Sequence, residues 1–458
     1  MDASARRSLA TQAAVGLASF LTPFLYGALS VAVPTMGREF DFTTHQMALL
    51  LMAHLLFSTA CNLPFGRLSD LVGRKSVFMA GSVLFATSSL LAGLAHAPWV
   101  LVAARALQGV GDAMTFGVSA AILVSVVEPG RTGRALGINI MFVYAGLALG
   151  PLAGGALTTL FSWRVIFFLS SLAGLAALAL IMKGYSQPED RTHTDVDWRG
   201  MAFYLPGMLA LIAGLSQAAS WTGLGLLGAS AVLFLVFGKV EPGREHPLLD
   251  LDYLVINRSF SLANATSVLG YAAGFSLSFL ASLLLQSVMG MPAGDAGMLL
   301  LVQPAVMTVA SPLAGRLSDR YDPAWVSATG LAVLGLSMFA FAGLAAGATP
   351  GCMAWLLGAA GFGFALFVSP NINAIMRCVD APHAGMASGL LATTRGLGMC
   401  VSLSMTGMVL AWLAGGDARG AGPEVLPALT ACFVLSGVVS LGGAWVSLKS
   451  SRPQGLAC

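Results

Sequence analysis

Fourteen stretches of this chain, near 11–33, 45–65, 76–96, 99–127, 136–160, 163–183, 200–220, 222–240, 259–285, 294–314, 323–346, 351–376, 384–414 and 426–448, are long and mostly apolar. About 20 such residues carry a helix across a bilayer. Turn chemistry separates the runs, at Pro34, Gly73, Pro98, Pro129-Gly130, Pro242-Gly243, Pro350-Gly351 and Gly415-Gly416. The longest polar stretches, 184–199 and 241–258, are linker-sized, so no soluble domain fits between the spans. Composition closes off the alternatives. Only 9% of the 458 residues are charged, against about 25% in an ordinary soluble domain. That is too few to coat a soluble enzyme, a nucleic-acid binder or a disordered chain. The net charge of +3, from 23 Lys and Arg against 20 Asp and Glu, makes no polyanion-binding surface. The chain reads as an all-α integral membrane protein, and not an enzyme.

The cysteines agree. Cys61, Cys352, Cys378, Cys400, Cys432 and Cys458 are scattered, with no metal or disulfide spacing, and read as free thiols packed as small hydrophobes. Arg6-Arg7 ahead of the first run faintly suggest a targeting signal. A signal-peptide core has about 7–15 apolar residues, and this run is longer. It reads as an uncleaved first helix.

Positive charge sets the orientation. With the N-terminus inside, 18 of the 23 basic residues fall in cytoplasmic segments; only Arg38, Arg164 and Arg419 lie outside, and Arg105 and Arg395 fall within spans. Both termini are therefore expected in the cytoplasm. The pentapeptide Gly-Arg-Leu-Ser-Asp closes span 2 at 66–70 and span 10 at 315–319. If each copy marks the second helix of a six-helix unit, the chain divides into a half over 1–183, a linker and two-helix insert over 184–258, and a second half over 259–458. Two parallel-repeat halves around a midplane cavity describe a secondary transporter.

The segment Gly66-Arg67-Leu68-Ser69-Asp70-Leu71-Val72-Gly73-Arg74-Lys75 resembles the cytoplasmic signature between helices 2 and 3 of the major facilitator superfamily. Its glycines suit a tight turn and close helix approach. Asp70 is placed to accept from an orphaned helix N-terminus, expected near Ala384 to Met386, and Arg74 and Lys75 to pair between the halves. In span 5, Gly146, Gly150, Pro151, Gly154 and Gly155 look like the antiporter signature of the same superfamily. A generic small-residue packing seam is the other reading. Arg105-Ala106-Leu107-Gln108-Gly109-Val110-Gly111 resembles its helix-4 arginine motif. Asp197-Trp198-x-Gly200, Pro247 to Leu251 and Ser369-Pro370-Asn371 are similar to the branch of 14-span drug:proton antiporters. The resemblance implies proton-driven export of lipophilic or cationic compounds from the cell membrane. One departure stands out: the acidic residue common in helix 1 of that branch is Leu25 here.

Polar residues within spans are the cavity candidates: Tyr26, His54, Gln108, Gln286, Gln303, Asn371, Asn373 and Arg395. Arg395 lies about 16 Å from the cytoplasmic end of its span at 1.5 Å per residue. Ionisable residues at such depth are functional candidates by default, although Arg395 pairing with backbone carbonyls is an alternative. His54 can titrate during transport or serve as an interhelical hydrogen bond. Asp112 is the one carboxylate well inside a span. It lies on the face of Arg105, about 10.5 Å along the helix, and is the candidate for proton coupling with Arg105. Pairing with a buried arginine, or capping a broken helix, is its structural alternative. The expected function is proton-coupled efflux of small amphipathic or drug-like molecules by alternating access, with one specific metabolite as the alternative cargo and a non-transporting sensor or scaffold the more remote one. The expected partners are membrane lipid, protons and a small-molecule substrate, with no nucleic acid, for a monomer without cofactor or metal.

Overall fold

The structure, a computed structural model, describes residues 3–41, 44–128, 130–186, 197–217, 220–241, 247–344, 349–414 and 425–451. Pro129, Pro242-Gly243 and Gly415-Gly416, together with Arg191, Arg244, Arg419, Arg452 and Cys458, lie outside them. Helices α1 (Ala3–Glu39), α2 (Thr44–Val72), α3 (Arg74–Gly93), α4 (Pro98–Val126), α5 (Thr132–Leu160) and α6 (Trp163–Gly184) form the first half. The pair α7 (Trp198–Ser216) and α8 (Trp221–Val240) follows. A short α9 (Leu251–Ile256) leads into α10 (Arg258–Gly274) and α11 (Leu277–Leu283), which a π-helical turn over Leu284–Val288 extends. Then come α12 (Ala293–Leu300), α13 (Val302–Arg320), α14 (Pro323–Leu344), α15 (Pro350–Arg377), α16 (Ala384–Ala414) and α17 (Leu426–Ser450). Among the described residues, thirteen segments are long and apolar enough to cross a membrane. The 29-residue α2 completes the fourteen.

Lipid offers the backbone no hydrogen-bond partner, so the spans satisfy their own polar groups as helices. Gly73 separates α2 from α3 with φ +98°, a conformation that suits glycine. Position 34 does not break its helix as expected: α1 runs on to Glu39. Outward faces are apolar, as at Leu172, Val232 and Leu235. Trp99, Trp221, Trp355 and Trp412 stand exposed near helix ends, where amphipathic rings suit a headgroup layer.

Packing repeats. In the first half α1 lies against α5 and α6, α2 against α4, and α3 against α4 and α6. In the second, α10 lies against α16 and α17, α13 against α15, and α14 against α15 and α17. These are the same five pairings, helix for helix. The halves meet where α2 packs on α16 and α5 on α13, again one relation used twice. The insert packs α7 on α8 and rests α7 against α2 and α16.

The insert is anchored by polar contacts. Asp197 caps α7 by accepting from Gly200 N at 3.0 Å. Glu241, buried at the end of α8, accepts from Leu249 N at 2.8 Å. Burial pushes the Glu241 carboxyl up to about 7; the Leu249 N–H opposes this and the neighbouring Asp197 adds to it. A carboxyl raised above its ordinary 4.5 binds more protons folded than unfolded. Its contribution is therefore fully present below about 4.5 and is lost as pH climbs to about 7. Glu241→Gln is expected to flatten that part of the pH profile and to raise the melting temperature at pH 8 relative to the parent, as measured by thermal unfolding in detergent at pH 5 and pH 8.

Candidate functional site

One end of the bundle is closed by two equivalent carboxylates. Asp70, ending α2, accepts from Gly385 N and Met386 N, both at 2.8 Å, at the start of α16. This is the contact expected from the motif. Asp319, from the second pentapeptide, accepts from Gly133 N at 2.7 Å and Arg134 N at 2.9 Å, at the start of α5. Each carboxylate thus caps a helix of the opposite half, where free N–H groups and the helix dipole favour an anion. Glycines allow the approach. A Cβ on Gly66 would lie 2.5 Å from Gly385 O and 2.6 Å from Gly389 Cα, and one on Gly137 would lie 2.5 Å from Ser311 O. Asp319 and Gly133 escaped sequence reasoning as site residues, although extending the role of Asp70 to its repeat would have found the first.

The basic residues of the motif divide their work. Arg74 lies 3.4 Å from Asp70 and donates to Ala381 O across the halves at 2.6 Å. Lys75 donates to Met182 O and Tyr185 O at the end of α6, where a cation suits the dipole. Arg67 donates to Pro247 O at 3.0 Å, tying the end of α2 to the segment after the insert. Asp70→Asn would set an amide NH2 or a single carbonyl against two backbone N–H groups. Losing this cap is expected to cost the closed gate about 1–2 kcal/mol, roughly tenfold in its opening equilibrium. Spin labels across the gate would read the shift, and transport would fall while membrane insertion stays normal. Full transport by Asp70→Asn would end the gating role.

Inward from these caps, five helices surround a cavity of about 30 Å³ lined by Asn139, Asn371 and Arg395, among others. That is room for only about two or three waters, so the halves lie close together here. The Arg395 guanidinium lies 4.9 Å from the ring of Phe116 on α4 and 5.3 Å from that of Tyr271 on α10, one ring from each half. Its Nη1 is buried without a hydrogen-bond partner, so the alternative of backbone pairing is not met there. Asn139 Oδ1, Ser267 Oγ, Tyr271 Oη and Ser388 Oγ are likewise buried and unpartnered. These residues sit singly in apolar runs, where no local signal marks them.

Asp112 has different company from that expected. It is 4% exposed, and its Oδ2 accepts from Ser58 Oγ at 2.6 Å while its Oδ1 accepts from Thr22 Oγ1. His54 Nε2 lies 3.6 Å from Oδ2, an ion-pair distance but too long for a hydrogen bond. Arg105 turns elsewhere: it donates to Gln108 Oε1 at 2.8 Å and Leu50 O at 3.5 Å. The two candidates Asp112 and His54 are therefore one cluster, joining α1, α2 and α4, and Arg105 is not the partner of Asp112.

Other expected cavity residues go to different work. Gln108 donates to Ser89 Oγ at 2.6 Å and braces α4 on α3. Gln303 accepts from Ser278 Oγ at 3.1 Å inside the second half. Gln286 is exposed on the π-helical turn and bonds Ser282 one turn back. Asn373 donates to Ser318 Oγ at 2.9 Å, beside the Asp319 cap. Tyr26 lines a separate cavity of about 600 Å³ between α2, α7 and α16, with Met52, Gln217, Cys400 and Met408. In span 5, Gly146, Gly150 and Gly154 face the backbone of α1, with Pro151 against Gly27. Gly155 falls outside this seam, its nearest neighbour being Val31 at 3.7 Å.

Residues 15–403 match the family described as Major Facilitator Superfamily. The riboflavin transporter RibZ of Clostridioides difficile is 27% identical over 370 residues, covering 81% of each chain. The multidrug resistance protein Stp of Mycobacterium tuberculosis is 29% identical over 418 residues, covering 89% of this chain and 77% of that one. The human organic anion transporter MFSD10 shares the fold with a TM-score of 0.68 at 16% identity, over 98% of this chain and 100% of its own. With its fourteen spans, repeated packing and matching carboxylate caps, the chain belongs to the major facilitator superfamily and is a multi-pass membrane transporter.

Proposed function

We propose that this transporter exports small amphipathic molecules in exchange for protons, as a cofactor-free monomer in the cell membrane with both termini in the cytoplasm. The observation that carries the reading is the Asp112–His54 pair, two titratable groups buried mid-helix, with hydroxyls as the hydrogen-bond partners of the Asp112 carboxylate. A proton gained or lost there changes the net charge of a buried cluster by one unit, which low dielectric makes costly unless helices α1, α2 and α4 readjust. The bias of Lys and Arg toward one side supports the orientation. On that orientation the two carboxylate caps close the cytoplasmic gate. The relative named for multidrug resistance supports export of varied compounds. The relative named for riboflavin, together with the directional polar atoms around Arg395, favours a second reading, export of a single metabolite.

Uptake into inside-out vesicles under an imposed pH gradient tests the proposal. Amphipathic compounds are expected to accumulate, and to leak back when a protonophore collapses the gradient. Accumulation indifferent to the protonophore would end proton coupling. A competition profile confined to one compound would select the single-metabolite reading.

A further inference from the structure

Among the described residues, Arg395 is a cation without a counter-ion. No carboxylate lines its cavity, and its Nη1 is buried with no hydrogen-bond acceptor. Arg395 is half-buried; a guanidinium stays protonated in proteins, and leaving its buried Nη1 without an acceptor is costly. Cation–π contacts return only part of that, about 0.5–2 kcal/mol each. One of the two contacts crosses between the halves. Phe116 belongs to the opposite half from Arg395, so separating the halves removes that ring and leaves Tyr271 alone on the guanidinium. The unpartnered oxygens of Asn139, Ser267 and Tyr271 are exposed by the same movement.

We propose that this cavity, when the gate opens, takes an amphipathic organic anion: a flat apolar body bearing a carboxylate, phenolate or enolate oxygen that pairs with Arg395. The apolar body replaces Phe116 against the guanidinium, and hydroxyl or amide groups of the ligand meet the remaining polar atoms. A lipophilic cation has no carboxylate to pair with here and is repelled by Arg395. The inference rests on the export reading above for the cavity's role, and it concerns the charge of the cargo.

Two xanthene dyes of one ring frame separate the cases: fluorescein, an anion, and rhodamine 123, a cation. Binding to the full chain in nanodiscs is read by fluorescence polarisation without any ion gradient. The parent is expected to bind fluorescein about tenfold or more tighter than rhodamine 123. R395M is expected to lose that preference, and R395K to keep most of it while losing the forked geometry. Equal or tighter binding of rhodamine 123 by the parent would overturn the proposal, and this comparison needs no variant to fold. So would parental fluorescein affinity in monodisperse R395M. Because no gradient is applied, loss of proton-driven export would leave the result standing. Vesicles that accumulate rhodamine 123 and exclude fluorescein would sink the anion and leave export intact.

Discussion

Asp112→Asn is expected to bind and exchange cargo but to lose its accumulation against a gradient. With one proton exchanged per cargo molecule, a pH difference of one unit sustains about a tenfold concentration ratio, and the variant should hold a ratio near one. Asn is nearly the shape of Asp, and its carbonyl still accepts from one of the two hydroxyls, Thr22 Oγ1 or Ser58 Oγ. The other hydroxyl can turn to accept from the new amide, since it carries both a donor and lone pairs. The structure around the site is therefore retained while the titrating group is gone. Counterflow, in which labelled cargo exchanges for unlabelled at equal pH, keeps its rate in the variant. Accumulation equal to the parent's would move the proton site away from Asp112, and His54 is the other titratable group of the cluster.

Gly150→Leu is expected to have the largest effect on the fold. A Cβ at this position would lie 2.6 Å from Phe24 O, 3.0 Å from Gly27 Cα and 3.1 Å from Ala28 N. All three are backbone atoms, so no rotamer change relieves the clash and α1 must move as a body. Gly146 and Gly154, one turn to either side, also face α1 backbone, which makes the seam a continuous close contact. Close approach of this kind is a main source of helix association where lipid removes the hydrophobic drive. Overpacking a tight interior costs about 1–3 kcal/mol, and the rigidity of two helical backbones places this case at the upper end. The expected result is little monodisperse protein, or folded protein whose transport falls by about tenfold or more. Gly155→Ala is the control. Its nearest contact would be Val31 Cγ1 at 3.7 Å, an ordinary van der Waals distance, and both yield and transport should match the parent. Parental behaviour from Gly150→Leu would show that α1 and α5 need not stay in contact.

The helical spans and the Asp70 cap were legible in the chain because their causes are local or repeated. A run of about 20 apolar residues has to become a helix in lipid, whatever it packs against. The two Gly-Arg-Leu-Ser-Asp copies mark equivalent helices, and an aspartate closing such a helix meets the N-terminal dipole of the helix packed beside it. Tertiary structure alone decided the partners of single polar side chains. Spacing along α4 set Arg105 and Asp112 on one face, but the position of α2 put His54 and Ser58 beside the carboxylate, while Gln108, three residues along the same helix, engaged the arginine. Likewise Arg395 became the centre of a cavity only because α4 and α10 each bring one ring to it. Gln286 was lost to the cavity by the π-helical turn, in which it is exposed. Helical period gives the angle of a residue on its own helix. In a membrane both the lipid face and the helix contacts are apolar, so which angle looks inward, and onto what, is set by the neighbouring helices.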